Sequence, residues 1–346
     1  MKKNIFGLTL SEFEKLFVEL NEPSFRAKQL CEWLYQKNVL DVDLMSNVSK
    51  SLKEKIKETF TIEMPQIHKI SESQIDNSYK FLFKTHDEQF IESVLMLQED
   101  RATVCVSCMI GCPLKCAFCA TGSDLRFVRN LDAGEILGQI LTIQNFIKEK
   151  NLAKKITNIV YMGMGEPLLN FINVEKSIEI LISQWGFQFP HTKITVSTAG
   201  ITDKIAKLIE KFRVRVAVSL HFIDDTKRSQ FMPINQKYPL GELVATLRRI
   251  ELSKRDFITI EYIMIKDVND TFLDAQKLGY LLSGIQVKIN LIPLNPTKSF
   301  NHEPSTEEQI DKFIKYLWSK GFVTTVRRSK GKDVSGACGQ LALKNK

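Results

Sequence analysis

The sequence has no run of eighteen apolar residues, so it offers no candidate for a membrane-spanning helix. Its first residues, MKKNIFGLTLSEFEKLF, lack the unbroken apolar core and small-residue cleavage site of a secretory leader. Low-complexity tracts and internal repeats are absent too, and the composition is that of a globular protein. These absences set the expectation of a cytoplasmic chain with no membrane partner. A disulfide framework is also missing. Of the seven cysteines (Cys31, Cys105, Cys108, Cys112, Cys116, Cys119 and Cys338), five fall within fifteen residues. In a cytosolic chain of this length that clustering points to metal or redox chemistry.

What is present is a chain of 346 residues, 44% hydrophobic and 25% charged, long enough for one large domain and a small one. The formal net charge of +8 suits a polyanionic partner, because Lys and Arg that neutralise phosphates release counterions.

Residues 1–65 read as helical. Ser11 and Glu14 have capping-box spacing ahead of Phe13, Leu16, Phe17 and Leu20; Pro23 opens a second segment, and SKSLKEKIKETF is a third. From about residue 67 to 108, YKFLFKT, QFIESVLMLQ and RATVCVSC read as strands. Strands and helices then alternate: TNIVYMGM with helix 171–185, KITVSTAG with 202–212, RVAVSLH with polar helical sequence, FITIEYIMI with 272–283, and QVKINLIPLN with 306–320. A Ser305/Glu308 capping box opens that last helix, and FVTTVRR follows as a final strand. Apolar strands separated by helices indicate a parallel sheet with helices outside. Counting VCVSC as the first strand gives six βα units, hence an α/β fold with a partial (β/α)6 barrel. The expected domains are a helical accessory unit at 1–65 that contacts RNA, a β extension at 66–100, and a core at 101–346. The conspicuous loops, SCMIGCPLKCAFC, GMGEP, STAG, SLH and PLNP, all fall where strands end, the functional rim of such folds.

Cys112-x3-Cys116-x2-Cys119 carries the strongest chemistry. Iron–sulfur clusters normally take four thiolates. Three close ones leave an iron open to chelation by the amino and carboxylate groups of S-adenosylmethionine (SAM), whose reductive cleavage yields a 5′-deoxyadenosyl radical. A zinc ribbon could pair Cys105-x2-Cys108 with Cys116-x2-Cys119, yet only seven residues separate the pairs, against roughly 15–20 in ribbons. Downstream, the glycines of GMGEP permit close backbone approach and Glu166 can accept from an ammonium group. Cys338 sits among basic residues, which favour its thiolate.

CVSCMIGCPLKCAFCATG, MGMGEPLLN, ITVSTAG, VAVSLH, MPINQKYP, INLIPLNP and GACGQL resemble, in order and spacing, the RlmN/Cfr family of radical SAM RNA adenine methyltransferases. GEPLLN and EDRATVCVS resemble the RlmN branch, which methylates adenine C2; the Cfr branch methylates C8 and typically replaces the proline after GMGE. The resemblance implies 23S rRNA as substrate, tRNA as a second one, a [4Fe–4S] cluster on Cys112, Cys116 and Cys119, and SAM contacts at Gly165, Glu166, Ser197, Ser219, Leu220, His221 and Asn295. It further implies Cys338 as the S-methylcysteine carrier, Cys105 as the resolving thiol that forms a transient disulfide with it, and Glu92 as proton acceptor. A flavodoxin-type electron donor and a monomeric state complete the expectation. The chain departs from the family's Val-Ser-Ser at Cys108, which is expected to be a neutral exchange for serine. The residues alone leave C8 methylation, or a non-catalytic iron–sulfur or zinc RNA-binding protein, as alternatives.

Overall fold

The computed structural model describes residues 2–153 and 155–343. Its centre is one ten-stranded sheet: β1 (Gln66–Glu72), β2 (Ser78–Lys84), β3 (Phe90–Gln98), β4 (Arg101–Cys105), β5 (Asn158–Tyr161), β6 (Ile194–Thr198), β7 (Arg215–Ser219), β8 (Ile258–Met264), β9 (Val287–Pro293) and β10 (Val323–Val326). Spatial order follows chain order from one edge to the other. β1 to β4 form an antiparallel meander, and β4 to β10 run parallel. Six parallel strands are each followed by helical structure before β10 closes the series, as the six βα units predict. The β extension is therefore the antiparallel continuation of the barrel sheet, not a separate layer.

The helices behind the parallel strands include α4 (Ala133–Glu149), α5 (Phe171–Ile182), α6 (Thr202–Phe212), α7 (Leu240–Arg249), α8 (Phe272–Leu281) and α9 (Glu307–Ser319). Before them come α1 (Leu10–Glu19), α2 (Phe25–Cys31) and α3 (Lys50–Thr59). These amino-terminal helices dock on the core. Gln36 donates to Gln184 O at 2.8 Å, Asn38 to Asn145 at 2.7 Å, and the Tyr35 ring lies 5.6 Å from that of Phe187.

Both expected capping boxes are displaced. In α1 the cap is Thr9, whose hydroxyl accepts from Glu12 N while Glu12 accepts from Thr9 N. Starting at Leu10 supports buried Phe13 with most of a turn of helix, whereas a start at Ser11 would leave Phe13 at its frayed end. In α9 the cap is Thr306, accepting from Gln309 N at 3.3 Å. Ser305 is held back because Pro304 bridges to Ile265, fixing the preceding backbone as a strand-like segment.

Strand alternation decides what faces the barrel interior. On β4 it is Arg101, Thr103 and Cys105; on β6, Thr195 and Ser197; on β7, Arg215, Ala217 and Ser219; on β8, Thr259 and Glu261. Polar and thiol groups thus occupy the lumen, while Val104, Ile159, Val196, Val216 and Ile260 pack outward against the helices.

Candidate active site

A cavity of about 560 Å³ occupies the lumen. Cys112, Cys116 and Cys119 lie on its wall at the carboxyl ends of the strands, in the loop leading from β4 toward α4. The loop folds tightly because Lys115 is left-handed (φ 55°) and Cys119 N–H donates to Cys116 O at 3.1 Å. Ala117 N–H donates to Phe231 O at 2.9 Å, which docks it on the neighbouring barrel loop. Asn170 secures its start by donating to Cys108 O at 2.8 Å and Leu131 O at 2.7 Å. A tetrahedral zinc ion with bonds near 2.3 Å would draw its sulfurs to about 3.8 Å from each other. Among the described residues, no three cysteine sulfurs lie within 4.8 Å of one another. The three thiols are thus not gathered as ligands of a single zinc ion; they share one loop and one cavity, with the soft thiolate donors that an iron–sulfur cluster takes. His86, Asp87 and Glu135 do converge within that distance. Arg129, however, occupies both carboxylates at 2.7 Å.

Glu166 is buried, and burial raises its pKa. Its oxygens accept from Leu168 N at 3.0 Å and Ala199 N at 2.7 Å, so it pins GMGEP to STAG and keeps lone pairs free for another donor. A Cβ on Gly163 would sit 2.7 Å from Val106 O, and Gly165 has φ +101°; both positions need glycine. His221 is left-handed and buried, and burial aided by the charge of Arg228 pushes its pKa down to about 3. Ile263 N–H donates to His221 Nδ1 at 3.1 Å, which assigns the proton of the neutral ring to Nε2. The Phe118 ring stands edge-on to His221 at 5.0 Å and covers this side of the cysteine loop.

Ser197, Ser219 and Asn295 also line the cavity. Asn295 Nδ2 donates to Ser329 Oγ at 2.8 Å and Cys338 O at 3.0 Å, but its buried Oδ1 has no partner. A cavity lined by this residue, by glycines and by the buried carboxylate of Glu166 fits a ligand as rich in donors as SAM. Leu220 does not line the cavity. Its side chain is fully buried, its N–H donates to Glu261 O, and its carbonyl accepts from Arg228.

Cys105, at the end of β4, and Cys338, in the carboxyl-terminal loop, line the same cavity as the three clustered cysteines. Cys338 is reached by solvent through the cavity, yet surrounding protein still raises its pKa by burial. Burial pushes the Cys105 thiol up to about 12. Arg327 counters both shifts with its positive charge. It lies 3.6 Å from Glu261 and donates to Met162 Sδ at 3.3 Å. Cys108 is buried outside the cavity wall, with its Sγ 3.6 Å from Met164 O.

Glu92 lies on the same face of β3 as the cavity-lining Val94 and Met96 but is itself covered. Oε1 pairs with Lys80 at 3.0 Å, and Oε2 accepts from Ala342 N at 2.9 Å and Leu343 N at 3.1 Å.

Sequence reasoning missed Arg228, Arg327 and Glu261. Arg228 is a fully buried cation that binds Ala199 O at 2.7 Å, Asn235 at 2.7 Å and Leu220 O at 3.2 Å, joining STAG, SLH and MPIN. An arginine in a polar helix gives no sign of this. Asn235 within MPIN was the available clue.

Residues 3–62 match the family model of the ribosomal RNA large subunit methyltransferase N-terminal domain, and residues 106–278 that of the radical SAM superfamily. A probable dual-specificity RNA methyltransferase RlmN of Pseudothermotoga lettingae is 43% identical over 99% of this chain and 98% of its own. The dual-specificity RNA methyltransferase RlmN of Aliarcobacter butzleri is 41% identical over 99% and 96%. The crystal structure of a radical SAM methyltransferase from Sphaerobacter thermophilus superimposes with a TM-score of 0.91 at 39% identity, covering 98% of this chain and 99% of that one. The chain belongs to the RlmN family of the radical SAM superfamily.

Proposed function

We propose that this protein is a dual-specificity RNA methyltransferase that places a SAM-derived methyl group on C2 of an adenine in 23S rRNA and in tRNA. The observation that carries the reading is the presence of Cys105 and Cys338 on one cavity wall with Cys112, Cys116 and Cys119. A non-catalytic iron–sulfur protein has no use for that outlying pair.

Adenine C2 is electron-poor and cannot attack a sulfonium methyl, so the reaction needs a radical route. A [4Fe–4S] cluster on Cys112, Cys116 and Cys119, with SAM, supplies the one-electron chemistry. The Cys338 thiolate takes the methyl group of one SAM by displacement, releasing S-adenosylhomocysteine, and carries it as S-methylcysteine. Once that group has lost a hydrogen atom, its carbon bonds to C2 and links enzyme to RNA. The adduct radical then loses one electron, which the cluster on Cys112, Cys116 and Cys119 would take back, and Glu92 takes the C2 proton, which requires residues 342–343 to release its Oε2. The Cys105 thiolate then attacks the Cys338 sulfur, breaking its bond to the methylene carbon; that carbon takes up a proton, freeing 2-methyladenine RNA and leaving a Cys105–Cys338 disulfide. Gly165, Glu166, Ser197, Ser219, His221 and Asn295 hold SAM through the polar groups described above, and Leu220 supports His221 from behind. Residues 1–65 add an RNA-contacting unit to the core at 101–346. A flavodoxin-type donor supplies electrons to a monomer in the cytoplasm; no helix among the described residues is long and apolar enough to cross a membrane.

Mass mapping of adenines in rRNA and tRNA from cells lacking the gene tests the reading. It predicts the loss of 2-methyladenosine from both RNAs. Loss of 8-methyladenosine, or unchanged RNA, overturns it.

A further inference from the structure

We infer that RNA reaches the catalytic cysteines through the mouth of the barrel at the amino ends of the strands, over a cationic rim made by Arg101, Arg215 and Lys288 around Phe257. This rests on the RNA methyltransferase reading above.

The other mouth is closed by the chain itself. Ala120 N–H donates to Gly339 O at 2.8 Å, Thr121 Oγ1 to Leu341 O at 2.7 Å, and Asn295 to Cys338 O. The cysteine loop and the carboxyl-terminal loop are thereby sewn together across the carboxyl ends of the strands. At the amino ends the carboxyl-terminal loop is tied to the turn between β1 and β2, where Asp333 accepts from Ser73 Oγ at 2.8 Å and Gln74 N at 2.7 Å and Asp76 accepts from Gly331 N at 2.9 Å, while Arg101, Asn158, Thr195, Arg215 and Phe257 remain on the cavity wall. Arg101 and Arg215 are exposed, and Asn158, Thr195, Phe257 and Lys288 are half-buried.

Strand alternation connects that rim to the chemistry. Arg101 shares the inner face of β4 with Cys105, and Arg215 shares that of β7 with Ser219. Four residues at about 3.3 Å each put the catalytic end about 13 Å below the rim. One everted nucleotide spans such a depth, with its phosphate at the rim and its base inside.

The charge fits RNA. Arg101, Arg215, Arg327, Arg328 and Lys330 line the cavity with two carboxylates, Glu166 and Glu261; Arg327 faces Glu261 and Arg328 is paired with Glu307, so the cations of the rim itself, with Lys330, are the ones left for RNA. Neither carboxylate is at the rim. The acids nearest the rim in sequence, Glu99, Asp100 and Asp256, do not line the cavity, and Asp256 is engaged by Ser253 at 2.6 Å. Lys288 Nζ sits 3.8 Å from the centre of the Phe257 ring, and the Arg215 guanidinium 5.6 Å from it. Phe257 thus holds two cations at the rim, and guanidinium planes and rings are surfaces on which unpaired RNA bases stack.

The test compares the reconstituted wild type with Arg101→Gln/Arg215→Gln and Phe257→Leu, using in vitro transcribed, unmethylated 23S rRNA. Lys277→Glu, an exposed site on the outer helix α8, is the charge control. Each rim variant is expected to raise KM for RNA roughly tenfold, and the double variant to reduce the slope of log K against log salt by about 1 to 2. S-methylation of Cys338 without RNA, read by mass spectrometry, reports that the fold and SAM site are intact. Wild-type KM and salt slope in both rim variants, or an equal loss in Lys277→Glu, overturn the inference. Failure of the wild type itself to methylate RNA overturns the functional reading instead.

Discussion

Glu92 and Lys80 form a 3.0 Å ion pair on the inner face of the antiparallel meander, with side chains only 1% and 3% exposed. They sit diagonally across β2 and β3, since Lys80 is opposite Val94 and Leu82 opposite Glu92. Removing one partner of such a pair leaves an uncompensated buried charge. Lys80→Met is expected to destabilise the protein by about 3–5 kcal/mol. Lys80→Met/Glu92→Leu should recover most of this loss yet transfer no methyl to RNA. Urea unfolding of the holoprotein and a turnover assay measure the two effects separately. A double variant that turns over normally removes Glu92 from the chemistry.

Cys105 and Cys108 are three residues apart and belong to different environments. Cys105 faces the cavity, while Cys108 is packed outside it beside the Met164 carbonyl. Cys105→Ala should leave enzyme and RNA covalently joined, visible as a slowed band on a denaturing gel, because no thiol reaches the Cys338 sulfur. Cys108→Ser should give 2-methyladenosine at close to the wild-type rate. If Cys108→Ser traps the adduct as fully as Cys105→Ala, the two thiols share the resolving role.

Asn295, on the cavity wall, gives both amide hydrogens to the carboxyl-terminal loop and leaves its buried Oδ1 without a partner. Asn295→Ala therefore removes one potential SAM contact and two tethers of Cys338. We expect about tenfold weaker SAM binding, the order of a lost hydrogen bond to a buried partner. Faster tryptic cleavage after Arg328, Lys330 and Lys332 should accompany it. Weakened SAM binding with unchanged proteolysis would show that Ser329 and the backbone hold the loop without Asn295.

The parallel sheet was legible because each βα unit writes two periodicities in turn, and the cavity rim because its loops begin where apolar runs stop. Helix α6 spans 202–212 as expected. Capping was less legible: ThrLeuSerGluPheGlu offers two overlapping boxes, and only the burial of Phe13 chooses Thr9 over Ser11. Residues acting across the barrel left no local trace. Arg228 joins three loops, and Glu92 is covered by a segment 250 residues downstream, contacts that spacing along the chain cannot express.

The Arg327 charge acts on the Cys105 thiol. Burial raises the Cys105 thiol to about 12, so at neutral pH it is almost wholly protonated and unreactive. The thiolate fraction, and with it the release of methylated RNA, should rise nearly tenfold per pH unit from 7 until the structure fails or the pKa is passed. Arg327 favours the thiolate, so its removal raises the pKa further and lowers the rate at every pH below it. Arg327→Met is thus expected to slow decay of the covalent adduct about tenfold at pH 8 and to shift its profile to higher pH by about one unit. Arg327→Lys keeps the charge and should restore most of the rate. Rapid-quench decay of the adduct across pH 7–9 reads all three proteins. A flat profile shared by wild type and Arg327→Met would mean that another base, rather than the guanidinium, prepares the Cys105 thiol.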